Sequence, residues 1–83
     1  MNYKLVGFYK NPHNFDYISR LFSQIKKRHP SITQSEIYDY QSEKASELNI
    51  TLFPCVMVYK NDTLHKKLES KLTIKESLQK LGL

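Results

Sequence analysis

The sequence predicts an α/β fold, a four-stranded mixed β-sheet flanked by about three α-helices, built as one domain from residues 1–83. Three observations lead there. Near the start, strand-like apolar runs alternate with amphipathic helical stretches, the pattern of a strand-helix-strand unit with parallel pairing and a right-handed crossover. Two later strand-like segments are separated only by a turn, which adds an antiparallel hairpin. A helix with its own start signal closes the chain. Helices should therefore cover both faces of the sheet.

Tyr3 to Tyr9 (YKLVGFY) combines β-branched and aromatic residues around an apolar centre and reads as a strand buried on both faces. Asn11-Pro12 supplies a helix cap followed by proline at the first helical position, with Asn14 as the alternative cap. Phe15, Ile18, Leu21, Phe22 and Ile25 then mark one helical face, and Lys26 to His29 suit a helix C-terminus before Pro30 ends it near residue 29. Ser35 to Tyr40 reads as a short strand, and Ser42 to Leu48 as a short helix with Ala45 and Leu48 facing inward. Cys55 to Tyr59 and Leu64 to Leu68 are the two strands of the hairpin, turning through Lys60-Asn61-Asp62-Thr63. Thr73 and Glu76 form a capping box ahead of Ile74, Leu78 and Leu81.

Composition bounds the function. Hydrophobic content of 40 % and charged content of 25 % are those of a globular chain. No apolar run approaches the roughly 20 residues of a spanning helix, and Lys4 interrupts the N-terminal apolar stretch, unlike a signal peptide. A single cysteine, Cys55, cannot form an internal disulfide and fits a reducing compartment, so the expectation is a cytoplasmic monomer. The net charge of +5 is unevenly spread: residues 35–59 hold four acids against Lys44, while residues 1–34 and 60–83 each hold six Lys or Arg, against one and three acids. A basic surface beside an acidic one follows, which either confers solubility or steers an acidic partner. His13, His29, His65 and Cys55 have no metal-ligand spacing, and there is no glycine-rich phosphate loop, so no metal and no cofactor is expected.

Asp39 to Asn61 (DYQSEKASELNITLFPCVMVYKN) resembles the stretch of thioredoxins in which a strand-ending Asp precedes a short helix, an Ile-x-x-Ile-Pro-Thr segment and an apolar strand. Val6-Gly7-Phe8-Tyr9 likewise resembles the Val-Asp-Phe-Trp that enters the thioredoxin active-site loop. The resemblance implies a thioredoxin-like fold over nearly the whole chain. It also implies that Pro54 is the family's cis-proline, in a loop that faces the start of the first helix and pairs with an extended peptide.

The departures are all in the redox apparatus. Where thioredoxins carry Trp-Cys-Gly-Pro-Cys, this chain reads Lys10-Asn11-Pro12-His13-Asn14-Phe15, without sulfur. Gly7 stands where the family has a buried Asp, and Ser35 where it has a Lys. No thiolate can attack a disulfide there and no second thiol can resolve one. The leading expectation is a redox-inactive module that binds a protein or peptide through Lys10, Asn11, Pro12, His13, Asn14, Phe53, Pro54 and Cys55. One alternative is a monothiol activity at Cys55 with His13 as its base. Another is a small basic nucleic-acid-binding protein, although Tyr3, Phe8, Phe15, Phe22, Phe53 and Tyr59 all read as core or strand, leaving few aromatics to stack on bases.

Overall fold

The apolar and turn signals resolve into seven elements in a computed structural model that describes residues 2–83. They are β1 (Tyr3–Tyr9), α1 (Pro12–Arg28), β2 (Gln34–Asp39), α2 (Glu43–Glu47), β3 (Cys55–Lys60), β4 (Thr63–Leu68) and α3 (Ile74–Leu81). The strands form one sheet in the order β2-β1-β3-β4. β1 and β2 are parallel, with α1 carrying the chain back between them; β3 lies antiparallel to both β1 and β4. A helical connection permits the first arrangement and a tight turn the last. In that turn Asn61 and Asp62 have φ of 52° and 66°, the left-handed pair that a two-residue hairpin requires and that Asn and Asp tolerate.

Alternation along β1 and β3 divides the core. Leu5, Val56 and Val58 face α1 and α3, where Ile18, Leu21, Ile25, Leu78 and Leu81 cover them. Val6, Phe8, Cys55 and Met57 face the other way, toward Ala45 and Ile50. Strands apolar on both faces are what a sheet sandwiched between helices needs.

Gly7 lies on the α1 side. A Cβ there would come within 2.6 Å of Ile18 Cγ2 and 3.2 Å of Phe22 Cζ, so the missing side chain is what allows the helix to approach the sheet.

The helix ends follow from local chemistry. Asn11 Oδ1 accepts the Asn14 N–H at 2.9 Å, with Pro12 at the first helical position, while Asn14 sits inside the helix and its Oδ1 accepts the Lys10 N–H. α2 ends in a Schellman motif: Asn49, at φ 55°, donates to the Ser46 carbonyl and Ile50 to that of Ala45. In α3 the Thr73–Glu76 capping box forms, and Gly82 at φ 70° lets Leu83 donate back to the Leu78 carbonyl. Tyr17 donates its hydroxyl to Ser77 Oγ, which donates to the Thr73 carbonyl, so α1 and α3 are joined by a buried polar chain.

One helical position departs from the expected pattern. Phe15 is 44 % exposed and Tyr17, only 5 % exposed, packs in the core cluster of α1 and α3. The Phe15 ring rests edge-on against Tyr9, the last residue of β1, and stays largely open to solvent.

Candidate functional site

Strand register determines what meets at the head of α1. Phe8 pairs with Cys55 and Tyr9 with Asp39, so the chain leaves β1 with Tyr40 following on one side and the Phe53–Pro54 loop on the other. The Phe53–Pro54 peptide bond is cis. The Lys10 ammonium lies 5.7 Å from the centroid of the Tyr40 ring, and Tyr40 meets Phe53 edge-on with centroids 6.2 Å apart. Phe15 meets Tyr9 at 5.1 Å. Leu52, next to Phe53 in the chain, is 55 % exposed.

Scattered surface apolar residues need no explanation, whereas exposed aromatics that touch one another, as Tyr40 and Phe53 do, ask for one. Phe15, Tyr40 and Leu52 are three of the four large hydrophobic residues exposed among the described residues. Fully burying such a side chain contributes about 1.5–3 kcal/mol, much of which this fold leaves unused at these three positions. Exposed cation–π contact between Lys10 and Tyr40 offsets only about 0.5–1 kcal/mol of that.

The residues expected to form the site divide into two groups. Lys10, Asn11, Pro12 and His13 are exposed and Phe53 is half-buried, so these reach the surface. Asn14, Pro54 and Cys55 are buried: Asn14 is committed to the helix start, and Cys55 has no exposed surface. Tyr40, which touches both Lys10 and Phe53, was not singled out from the sequence, because it reads as the last residue of the second strand.

The Cys55–His13 pairing is not formed. The thiol points to the α2 side among Val6, Phe8, Ala45, Ile50 and Met57, away from the face covered by α1. Burial pushes its pKa up to about 11, so it stays protonated at neutral pH. His13 instead lines a groove of about 210 Å³ with Asp16, Tyr17, Arg20 and the Lys71–Ile74 segment ahead of α3. Among the described residues, no group of three or more His, Cys, Asp and Glu side chains converges as metal ligands would.

Elsewhere on the α2 side, Lys4 pairs with Glu36 at 3.2 Å, and Tyr38 donates its hydroxyl to the same carboxylate at 2.6 Å. The Tyr38 hydrogen bond, followed by that from Lys4, holds the Glu36 pKa below the ordinary carboxylate range. This is a satisfied surface network at the β1–β2 pair. On the opposite side Lys26 Nζ donates to Ser35 Oγ at 2.6 Å, so the α1 lysine reaches the strand position at which thioredoxins carry their own. No described helix is long and apolar enough to cross a membrane.

No protein-family model and no curated protein matches this sequence. Solved structures do match. An oxidised thioredoxin from Plasmodium falciparum aligns with a TM-score of 0.73 at 21 % identity, covering 99 % of this chain and 83 % of that one. Oxidised mitochondrial thioredoxin 3 from Saccharomyces cerevisiae aligns at 0.74 with 14 % identity, over 99 % and 79 %. A thioredoxin from Trypanosoma brucei brucei aligns at 0.72 with 15 % identity, over 98 % and 73 %. With its mixed sheet, helices on both faces and one buried cysteine, the chain has a thioredoxin-like fold that lacks the Cys-x-x-Cys motif.

Proposed function

We propose that this chain is a redox-inactive binding module that docks a protein or peptide segment at the Lys10–Phe15 and Phe53–Pro54 loops. The observation that carries the reading is the exposed Tyr40 ring held edge-on against Phe53 beside the cis Phe53–Pro54 bond, with the Lys10 ammonium over its face. A lone, buried thiol with a raised pKa supports the negative half, because thiol–disulfide exchange requires an accessible thiolate and usually a second thiol to resolve the mixed disulfide. The same lone thiol favours a reducing, cytoplasmic setting. The buried thiol and its separation from His13 leave the monothiol alternative without support.

Selection of a random-peptide phage library on the immobilised full chain tests this. Enriched peptides are expected to lose about tenfold or more in affinity to the Phe15→Ala, Phe53→Ala double variant, the scale of a truncated hot spot. Enriched peptides that bind the variant as tightly as the parent would place the interface elsewhere. In parallel, the chain is expected to leave the rate of insulin reduction by dithiothreitol unchanged, and acceleration like that of a thioredoxin would refute the redox-inactive half.

A further inference from the structure

We propose that the cavity between α2 and the sheet binds a small free zwitterion, a molecule with a carboxylate at one end, an ammonium at the other and an apolar chain between them. Lys44 receives the carboxylate, Val6, Leu48 and Tyr59 carry the chain, and Asp62 receives the ammonium, all three groups bordering one cavity. The site is separate from the docking surface proposed above, since Lys4 on its rim lies six residues along the chain from Lys10, about 20 Å at the rise of a strand.

The shortness of α2 opens the cavity. Its five residues span about 7.5 Å, whereas the seven residues of β1 span about 23 Å. Ala45 and Ile50 pack on Val6, Phe8, Cys55 and Met57, but the next pair of the sheet, Lys4 opposite Tyr59, is not in that buried group and both residues stay half-exposed. A cavity of about 180 Å³ remains. Pockets for drug-sized ligands measure roughly 300–1,000 Å³, so the occupant of this one is a small molecule and not a folded segment.

Charge determines what that molecule carries. Both oxygens of Glu36 are engaged, Oε1 by the Tyr38 hydroxyl and Oε2 by Lys4. Lys44 is half-buried and yet pairs with no carboxylate among the described residues, neither with Glu36 nor with Glu43 and Glu47 of its own helix. Asp62, in the turn between β3 and β4, has no ion pair among them either. One unpaired cation and one unpaired acid, supplied by different elements, thus border the same partly apolar cavity. A simple fatty acid would leave its tail against Asp62 and a simple amine would leave its tail against Lys44, whereas a zwitterion gives each charge a partner.

Amide chemical-shift titration of the isotope-labelled full chain tests this with three small probes: 6-aminohexanoate, heptanoate and hexylamine. Their flexible chains are similar in length and differ in which end is charged. The zwitterion is expected to bind about three- to fivefold tighter than either singly charged probe, the scale of a partly exposed ion pair, with shifts at Val6, Lys44, Leu48 and Tyr59. Asp62→Asn should reduce its affinity to that of heptanoate, and Lys44→Gln to that of hexylamine. Asn tolerates the φ of 66° at position 62, so the first change keeps the turn.

Heptanoate or hexylamine binding as tightly as 6-aminohexanoate would overturn the proposal, as would a zwitterion affinity unchanged in both variants. Shifts confined to other parts of the chain, or no shifts with any probe into the millimolar range, would overturn it too. Tighter binding of the tetrapeptide Gly-Gly-Gly-Lys than of 6-aminohexanoate would replace the free molecule with a peptide terminus and overturn it in that form. None of these outcomes bears on the docking surface.

Discussion

Gly7 has an ordinary strand backbone, so steric room and not torsion accounts for it. Its missing Cβ lets Ile18 and Phe22 settle directly on β1, and Ile18 has no exposed surface into which it can move. Gly7→Ala should therefore destabilise the protein by about 1–3 kcal/mol, the range for overpacking a tight core, despite the small gain that alanine brings by restricting the unfolded chain. Urea denaturation should show a lower midpoint with an unchanged slope, and an unchanged or raised midpoint would contradict the close-packing account. Gly7→Asp should be worse, since it adds a carboxylate with no room and no partner. Rebuilding a reductase in this chain thus requires more than two cysteines, because the position of the family's buried acid has been given over to helix packing.

The same position illustrates what residue patterns reveal. That Gly7 stands where thioredoxins carry an acid was read from a resemblance; that Ile18 fills the space was not legible, because steric exclusion depends on two elements distant in the chain. Cys55 is similar. Its alternation with Met57 correctly implied shared burial, whereas its separation from His13 followed only from which face of the sheet each element covers.

At the scale of elements, start and stop signals were the most legible features, because each depends on a few neighbouring residues. The Thr73–Glu76 box is an example: Thr73 Oγ1 accepts the Glu76 N–H at 3.1 Å, while its own N–H donates to the Glu76 carboxylate. Thr73→Ala should remove about 1 kcal/mol and lower the melting temperature by about 4–8 °C, since α3 covers the core through Leu78 and Leu81. An unchanged melting temperature would show that the cap contributes nothing to global stability. Less legible was which side chains in the first turns of an amphipathic helix reach the core. Periodicity placed Phe15 with Ile18 and Phe22, yet nothing local records that Tyr17 and not Phe15 packs into the core of α1 and α3. For the same reason the exposed aromatics at the head of α1 exceeded the number expected, with Phe15 and Tyr40 both on the surface.

Across the whole molecule, parallel and antiparallel pairing was readable from connection lengths, and the charge asymmetry from simple counting. The two sheet edges differ accordingly. β4 presents Lys66 and Lys67, and its pairing with β3 is irregular at Val58/Tyr59, features that discourage edge-to-edge association. β2 carries Glu36 and Asp39 instead. Neither edge supplies the open apolar surface found at the head of α1. The proposed docking surface at the start of α1 and the Phe53–Pro54 loop joins segments far apart in the chain, which only the assembled fold positions.

Amide chemical-shift mapping of the isotope-labelled full chain, titrated with a peptide enriched from the phage library, tests that claim most directly. Shifts concentrated in residues 10–15, at Tyr40 and in residues 52–55 are the expected result. Shifts confined to β4 and α3, with the head of α1 unmoved, would contradict it.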